Sequence, residues 1–401
     1  MKVLHVIGSM DPKSGGPCQG IRNSIKGLKD QIDQREVVSL DDPGAAFLGQ
    51  DPFVIYPLGP ANNPWKYSPR LKPWLDNNIE KYDVIIINGL WLYLSFAVYK
   101  SLQKLKHKKN RISKKNPKFF IWPHGMLDPY FQKAPERKLK AIRNWLYWKL
   151  IERHVVNNAN GLLFTCETEL RLARESFSPY HPKKEINVGY GIEAPPPLNI
   201  EMNTAFKEKC AGLNDRPFLL FISRIHQKKG VDLLIKAYQT ILNKYPSGYE
   251  VPVLIIAGPG LDTAYGQNMY KLVANDTLLK KNVFFPGMLE GSAKWGALYG
   301  CEAFVLPSHQ ENFGIAVVEA LACSRPVLIS NQVNIWMEIL AGGAGIVAND
   351  SLEGTLKLLN TWQLLPKEKK QIMTTCALNT FVKKFSLGPP SKKFLEVLLY
   401  E

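Results

Sequence analysis

Short apolar runs of strand character alternate with helical stretches along the whole chain, and no other feature restricts the fold as strongly. In the first half the runs cover 3–7, 36–40, 54–58, 84–88, 119–122 and 161–165. In the second they cover 218–223, 253–257, 283–286, 304–307, 327–330 and 345–347. The series starts afresh after Gly191-Ile192-Glu193-Ala194-Pro195-Pro196-Pro197, a stretch whose prolines continue neither helix nor strand. This predicts an α/β protein of two doubly wound, Rossmann-like domains, 1–192 and 193–385. Such domains take ligands at the carboxyl ends of their strands, so a cleft between them is the expected binding place. Residues 386–401 read as an amphipathic helix. It either reaches back to the first domain or simply ends the second.

The bulk numbers agree with two cores: 401 residues, 45% apolar and 21% charged. Six scattered cysteines without paired spacing fit neither a disulfide framework nor a zinc site, and they read as small buried residues of a reducing cytosol. The first apolar run is too short for a secretion signal, and no run approaches the ~18 residues of a membrane span. Charge is the unusual property, at +16 net. Residues 1–195 carry 30 Lys and Arg against 18 Asp and Glu, while residues 196–401 carry 21 against 17. A basic first half suits an anionic partner.

Chemistry concentrates in loops that follow strands. Pro307-Ser308-His309-Gln310-Glu311-Asn312-Phe313-Gly314-Ile315 leaves one strand and opens an apolar helix that contains Glu319. A helix N-terminus presents unpaired N–H groups and about half a positive charge. Glu311 and Glu319 lie too far apart to act on one atom, yet they suit opposite ends of a long anionic ligand such as a sugar nucleotide. In the second domain's first loop, Arg224 and Lys229 form a fork and a point charge fitted to a diphosphate. Ser14-Gly15-Gly16-Pro17 occupies the corresponding loop of the first domain, where adjacent glycines admit close backbone approach. His124 and Asp128 follow the strand 119–122, and Asn88 ends the strand 84–88. Asp128 suits either an acceptor contact or a loop cap. Asp41-Asp42 before Pro43-Gly44 reads as a turn, and no metal cluster is apparent.

Taken in order, Ser223-Arg224-(x)4-Lys229-Gly230, Ala257-Gly258-Pro259-Gly260 and Glu311-(x)7-Glu319 resemble the retaining GT-B glycosyltransferases of family 4. The resemblance extends to the Gly15-Gly16 loop and to Pro123-His124-Gly125. It departs at Ser324, where the family usually has glycine, and at Gly189-Tyr190-Gly191, where Pro-Asn-Gly is more usual. It implies a GT-B fold and a metal-independent hexosyltransferase without a cofactor, using a nucleotide-diphosphate sugar as co-substrate, UDP-glucose by preference. Glu311 would face the transferred sugar, with the neutral ring of His124 opposite it. The backbone of Asn312, Phe313, Gly314 and Ile315 would hold sugar hydroxyls and phosphate. Glu319 would bind the ribose, Arg224 and Lys229 the diphosphate, and the backbone at Met288 the base. Asn88 and Asp128 are candidate acceptor contacts.

Two segments hold much of the positive charge. The run from Lys104 to Lys118 has eight Lys or Arg and no acid. The run from Lys133 to Arg153 has seven against Glu136 and Glu152, with Trp145, Tyr147 and Trp148 interleaved. Lys104–Lys118 and Arg137–Arg153 are therefore the expected contacts with an anionic membrane surface, on a peripheral enzyme at the cytoplasmic face, although Lys104–Lys118 equally suits a solvated or disordered loop. Ile142, Trp145, Leu146 and Leu150 stand at helical spacing and suit either membrane contact or a plain core stripe. The expected acceptor is a glycan or a lipid-linked sugar in polysaccharide or glycolipid synthesis. A sugar-nucleotide epimerase or phosphorylase-like enzyme on the same fold is the second reading. A nucleic-acid-binding protein is the remote third and would leave Glu311 and Glu319 without a role.

Overall fold

The computed structural model describes residues 1–29, 31–109, 116–134, 137–245 and 250–400. Two compact units emerge, one of residues 1–191 together with 387–401 and the other of residues 192–386.

In the first unit, β1 (Lys2–Ile7), β2 (Gln34–Ser39), β3 (Val54–Pro57), β4 (Val84–Asn88), β5 (Lys118–Trp122), β6 (Gly161–Phe164) and β7 (Glu185–Asn187) form one sheet. Its order is β3-β2-β1-β4-β5-β6-β7, and every pairing is parallel. Parallel strands need helical crossovers, which cover both faces, so central strands read as continuous apolar runs. Val84-Ile85-Ile86-Ile87-Asn88 is buried throughout. β7 was not foreseen. It has three half-buried residues, Glu-Ile-Asn, and carries no apolar run to betray it.

The second unit holds β8 (Phe218–Ile222), β9 (Val253–Ala257), β10 (Val283–Phe284), β11 (Ala303–Leu306), β12 (Val327–Ser330) and β13 (Gly345–Ala348). The order is β10-β9-β8-β11-β12-β13, again all parallel. In both sheets the order reverses beside the first strand, between β1 and β4 and between β8 and β11. Loops that leave the two strands flanking such a reversal diverge and open a crevice.

The last helix, Gly388–Tyr400, packs with the first unit against the helix Gly16–Gly27. Phe394 sets its ring 5.5 Å from that of Trp122. Cys18, Cys166, Cys210, Cys301 and Cys323 are free and buried, and Cys376 is free and half-buried. No described helix is long and apolar enough to cross a membrane.

Candidate functional site

In the second unit the crevice between β8 and β11 gathers most of the predicted residues. The loop after β8 runs from Ser223 to a single 3-10 turn, Gln227–Lys229. Gly230 follows with φ +66°, and a Cβ there would stand 2.1 Å from the carbonyl oxygen of Pro307. Gly258 meets the same limit from the neighbouring strand, because its Cβ would lie 2.0 Å from the Ser223 carbonyl. Only glycine lets the loops after β8, β9 and β11 approach this closely. The Ser308 hydroxyl and the His309 amide both donate to the Lys228 carbonyl, each at 2.9 Å, which fastens the β11 loop to the β8 loop.

That fastening delivers Lys229 to Glu311. Lys229, a residue only 6% exposed, forms an ion pair through its ammonium with the Glu311 carboxylate. The backbone of Glu311 is fixed as well, donating to Gln332 and accepting from Asn334, each at 2.9 Å. Arg224 sits exposed on the same β8 loop. Gly314, at φ +75°, caps the helix Ile315–Ala322. Asn312 and Ile315 are half-buried, whereas the Phe313 ring is buried edge-on against Phe385, 5.7 Å between centroids. Phe313 can offer a ligand its backbone, not its ring. Glu319 pairs with Lys294 at 2.9 Å. Lys294 was missed, since nothing in the spacing of the helix Gly291–Gly300 marks it as a partner for a residue 25 positions on. Met288 is exposed after Gly287, whose carbonyl accepts from the Gly258 amide at 2.8 Å.

Ser324 explains itself. The Ser324 amide donates to Leu321 at 2.9 Å and the Arg325 amide to Ala320 at 2.8 Å, the two bonds of a Schellman cap. That cap puts Ser324 at φ +59°, the conformation for which glycine is usual.

In the first unit the crevice between β1 and β4 is built differently. Asp41, read from sequence as an ordinary turn residue, braces the loop after β1. Its carboxylate accepts from the Ser9 hydroxyl at 2.6 Å and the Met10 amide at 2.8 Å. Gly15 is exposed at φ +87° and caps the helix that Gly16 begins. Tyr190, where the sequence departs from the family, donates its hydroxyl to the Gly16 carbonyl at 2.7 Å.

His124 stacks on Trp122, 5.0 Å between centroids and 14° between planes. Its Nε2 lies 3.1 Å from Asn88 Oδ1. The Asn88 amide nitrogen donates to the Ile86 carbonyl at 3.1 Å and sits 3.4 Å from Nδ1 of His5. A carbonyl only accepts, so the amide nitrogen must face Ile86 and the amide oxygen must face His124. His124 is therefore protonated on Nε2, and its Nδ1 is an acceptor. Burial, with His5 nearby, lowers the His124 pKa to about 3, so the ring is neutral. Burial does the same to His5, also to about 3. Glu169, another residue the sequence did not reveal, anchors the turn. It accepts from the Gly125 amide at 2.5 Å and from the Thr165 amide and hydroxyl at 2.7 and 2.6 Å.

Two expected acceptor contacts are corrected. Asn88 is 2% exposed and committed to His124 and Ile86, because it lies at the end of a central strand. Asp128 is buried and its carboxylate caps the turn at Tyr130, accepting that amide at 2.9 Å. Of the basic run from Lys104 to Lys118, residues 110–115 lie outside the described residues. Lys104 pairs with Asp76 at 2.6 Å and Lys118 opens β5. Pro135 and Glu136 also lie outside. Ile142, Trp145, Leu146 and Leu150 are exposed and form no core stripe.

The sequence profile of the glycosyl transferases group 1 family matches residues 203–373. A D-inositol 3-phosphate glycosyltransferase of Kineococcus radiotolerans is 27% identical over 197 residues, 48% of this chain and 45% of that protein. An uncharacterized glycosyltransferase of Methanocaldococcus jannaschii is 30% identical over 167 residues, 40% of this chain and 39% of the other. The matches thus span less than half the length of these relatives. Anabaena Alr3699/HepE, solved with UDP and glucose, shares the fold at a TM-score of 0.70 and 17% identity over 99% of both chains. A glycosyltransferase from Rickettsia africae does so at 0.73 and 16%, over 99% of this chain and 97% of its own. Residues 203–373, within the second unit, thus match the glycosyl transferases group 1 family, and the pair of parallel sheets has the GT-B fold of these solved structures.

Proposed function

We propose that this protein is a retaining glycosyltransferase of the family 4 type. It moves a sugar from a nucleotide-diphosphate donor, UDP-glucose by preference, to a hydroxyl of a glycan or lipid-linked acceptor at the cytoplasmic membrane face. The observation that carries the reading is the sheet reversal between β8 and β11, which sets Lys229 against Glu311 next to a helix N-terminus. Glucose and UDP bound to HepE, and the activity for which the Kineococcus protein is named, support the same reading.

In this mechanism the diphosphate lies on Arg224, Lys229 and the amides that open the helix. The bond from the sugar's anomeric carbon to the β-phosphate oxygen breaks while the acceptor oxygen bonds to the same face of that carbon. The acceptor's proton passes to the departing phosphate oxygen. Cations and helix amides aimed at developing negative charge stabilise it most in a site that excludes water, and Lys229 is buried enough to qualify. They stand in for a metal, and the same cations hold UDP as product. Glu311 orients the sugar, Glu319 the ribose, and the neutral ring of His124 accepts from a sugar hydroxyl through Nδ1.

Purified protein given a panel of nucleotide sugars should release UDP only when an acceptor is added, with the donor's anomeric configuration kept in the product. Release should be unaffected by EDTA. Epimerised donor formed without acceptor would transfer the reading to an epimerase. Glu311→Gln should reduce turnover by roughly 10²–10³, the loss typical of removing one transition-state contact, while UDP still raises Tm. Near-normal turnover would remove Glu311 from its role.

A further inference from the structure

The first unit carries an apolar groove of about 620 Å³ that none of the proposed chemistry uses. Trp65, Tyr67, Tyr93, Phe96, Leu146 and Leu150 line it, with Arg143 at its edge. Its floor is built rather than collapsed. Trp65 stacks on Tyr147 at 5.0 Å, the Tyr147 hydroxyl donates to the Leu92 carbonyl at 3.1 Å, and the Tyr93 amide donates to the Trp65 carbonyl at 2.8 Å. The tyrosine's polar end is satisfied inside, and apolar surface faces the groove.

The wall is a helix that runs against the usual pattern. Along Lys138–Tyr147 and the π-turn Trp148–Glu152 that follows, Leu139, Ile142, Trp145, Leu146 and Leu150 are exposed, Leu139 to 85%. Asn144, Tyr147, Trp148 and Glu152 are buried instead. A contiguous apolar surface of this kind on a folded protein marks an interaction site.

Charge selects the occupant. Lys138, Lys140, Arg143 and Lys149 share this segment, Arg153 follows it directly, and its one acid, Glu152, is fully buried with its pKa pushed up to about 8. Near neutrality the segment therefore bears positive charge with almost no compensation. A second copy would set like charge against like, and a neutral apolar peptide would leave the cations unpaired. An anionic amphiphile satisfies both the groove and its edge. Arg143 is placed for the headgroup. Its guanidinium lies over Trp65 at 5.5 Å, its Nε and Nη2 donate to Asn144, and Nη1 carries donors suited to a phosphate.

We infer that this groove binds the hydrocarbon chain of an anionic lipid, with the lipid's phosphate at Arg143. The inference deepens the transferase reading, on which its physiological meaning rests, by naming a phospholipid-like or lipid-phosphate acceptor class.

Hexadecyl phosphate, octyl phosphate, a neutral hexadecyl glycoside and inorganic phosphate, each added to the full chain below micelle formation, test it by native mass spectrometry and tryptophan fluorescence. Hexadecyl phosphate should bind one to one, at least tenfold more tightly than the octyl or the neutral ligand, and inorganic phosphate should not register. Leu146→Glu with Leu150→Glu, both at exposed positions, should weaken binding at least tenfold. Arg143→Gln should erase the preference for phosphate over the glycoside. The UDP-induced rise in Tm should be unchanged in every variant. Equal binding of inorganic phosphate, no dependence on chain length, unaltered binding in the double variant, or a dimer that the double variant dissolves would each overturn the groove assignment. Acceptor-dependent UDP release with a soluble glycan acceptor tests the transferase reading separately.

Discussion

The two crevices occupy the same topological position yet are built from opposite chemistry. Between β8 and β11 the side chains are charged and paired, Lys229 with Glu311 and Lys294 with Glu319. At β1, β4 and the loop after β5 they are polar and uncharged, in the sequence His5, Asn88, His124, the first two buried and His124 half-buried. The first arrangement can meet a diphosphate, because each carboxylate keeps a cation in place. The second cannot hold charge, since desolvation drives protons off both imidazoles, and it offers a fixed acceptor to a neutral hydroxyl. One fold thus supplies an ionic half and a neutral half by changing only the residues at the strand ends and in the loops beyond them.

The sharpest way to break the comparison is to remove a cation from the ionic half. Lys229→Ala should lower kcat/KM by roughly 10²–10³, measured by UDP release, and should leave Glu311 without its partner. A loss below threefold would mean the pair is structural only.

Acid should find the neutral half first. His5 and His124 bind protons in the unfolded chain near pH 6.5 but in the fold only near 3. Between those values the unfolded state holds more protons, so stability rises with pH across the window and is lost as pH falls from 6.5 towards 3. The two rings together should account for on the order of a few kcal/mol, read from urea midpoints at successive pH values. A flat profile through this window would contradict the neutral assignment.

Asn88→Ala should separate positioning from packing. Loss of the bond to Nε2 should reduce kcat several-fold, let the ring's nitrogen-15 shifts report both tautomers, and leave UDP affinity unaltered. Retention of one tautomer would assign the ring's orientation to Trp122 instead.

The smallest effect concerns the ionic half's own scaffold. Ser324→Gly relieves a non-glycine residue at φ +59° and should stabilise the protein by about 1 kcal/mol. A calorimetric Tm no higher than that of the parent would mean the cap carries no strain.

Much of this was legible along the chain because it is local. Strand runs such as Val84–Asn88 are apolar wherever they fold. Motifs such as Arg224 to Gly230 and Glu311 to Glu319 are likewise read from residues close together in sequence. β7 was illegible because three half-buried residues at a sheet edge leave no pattern. Glu169 and Lys294 were illegible because each matters only through a residue that folding brings to it. Asn88 and Asp128 sit where ligand contacts belong, but burial spent their polar atoms on the protein itself.

The sequence by itself determined two parallel α/β units, the boundary near residue 192 and the types of charge available, since period and composition are properties of neighbours. Tertiary structure decided which carboxylate meets which cation, which tautomer His124 adopts, and which face of Lys138–Tyr147 turns outward. Those are properties of contact, and the chain's order does not encode contact directly. Helical spacing put Ile142, Trp145, Leu146 and Leu150 on one side. Only the burial of Trp148 and Glu152 through the π-turn settled that this side faces solvent.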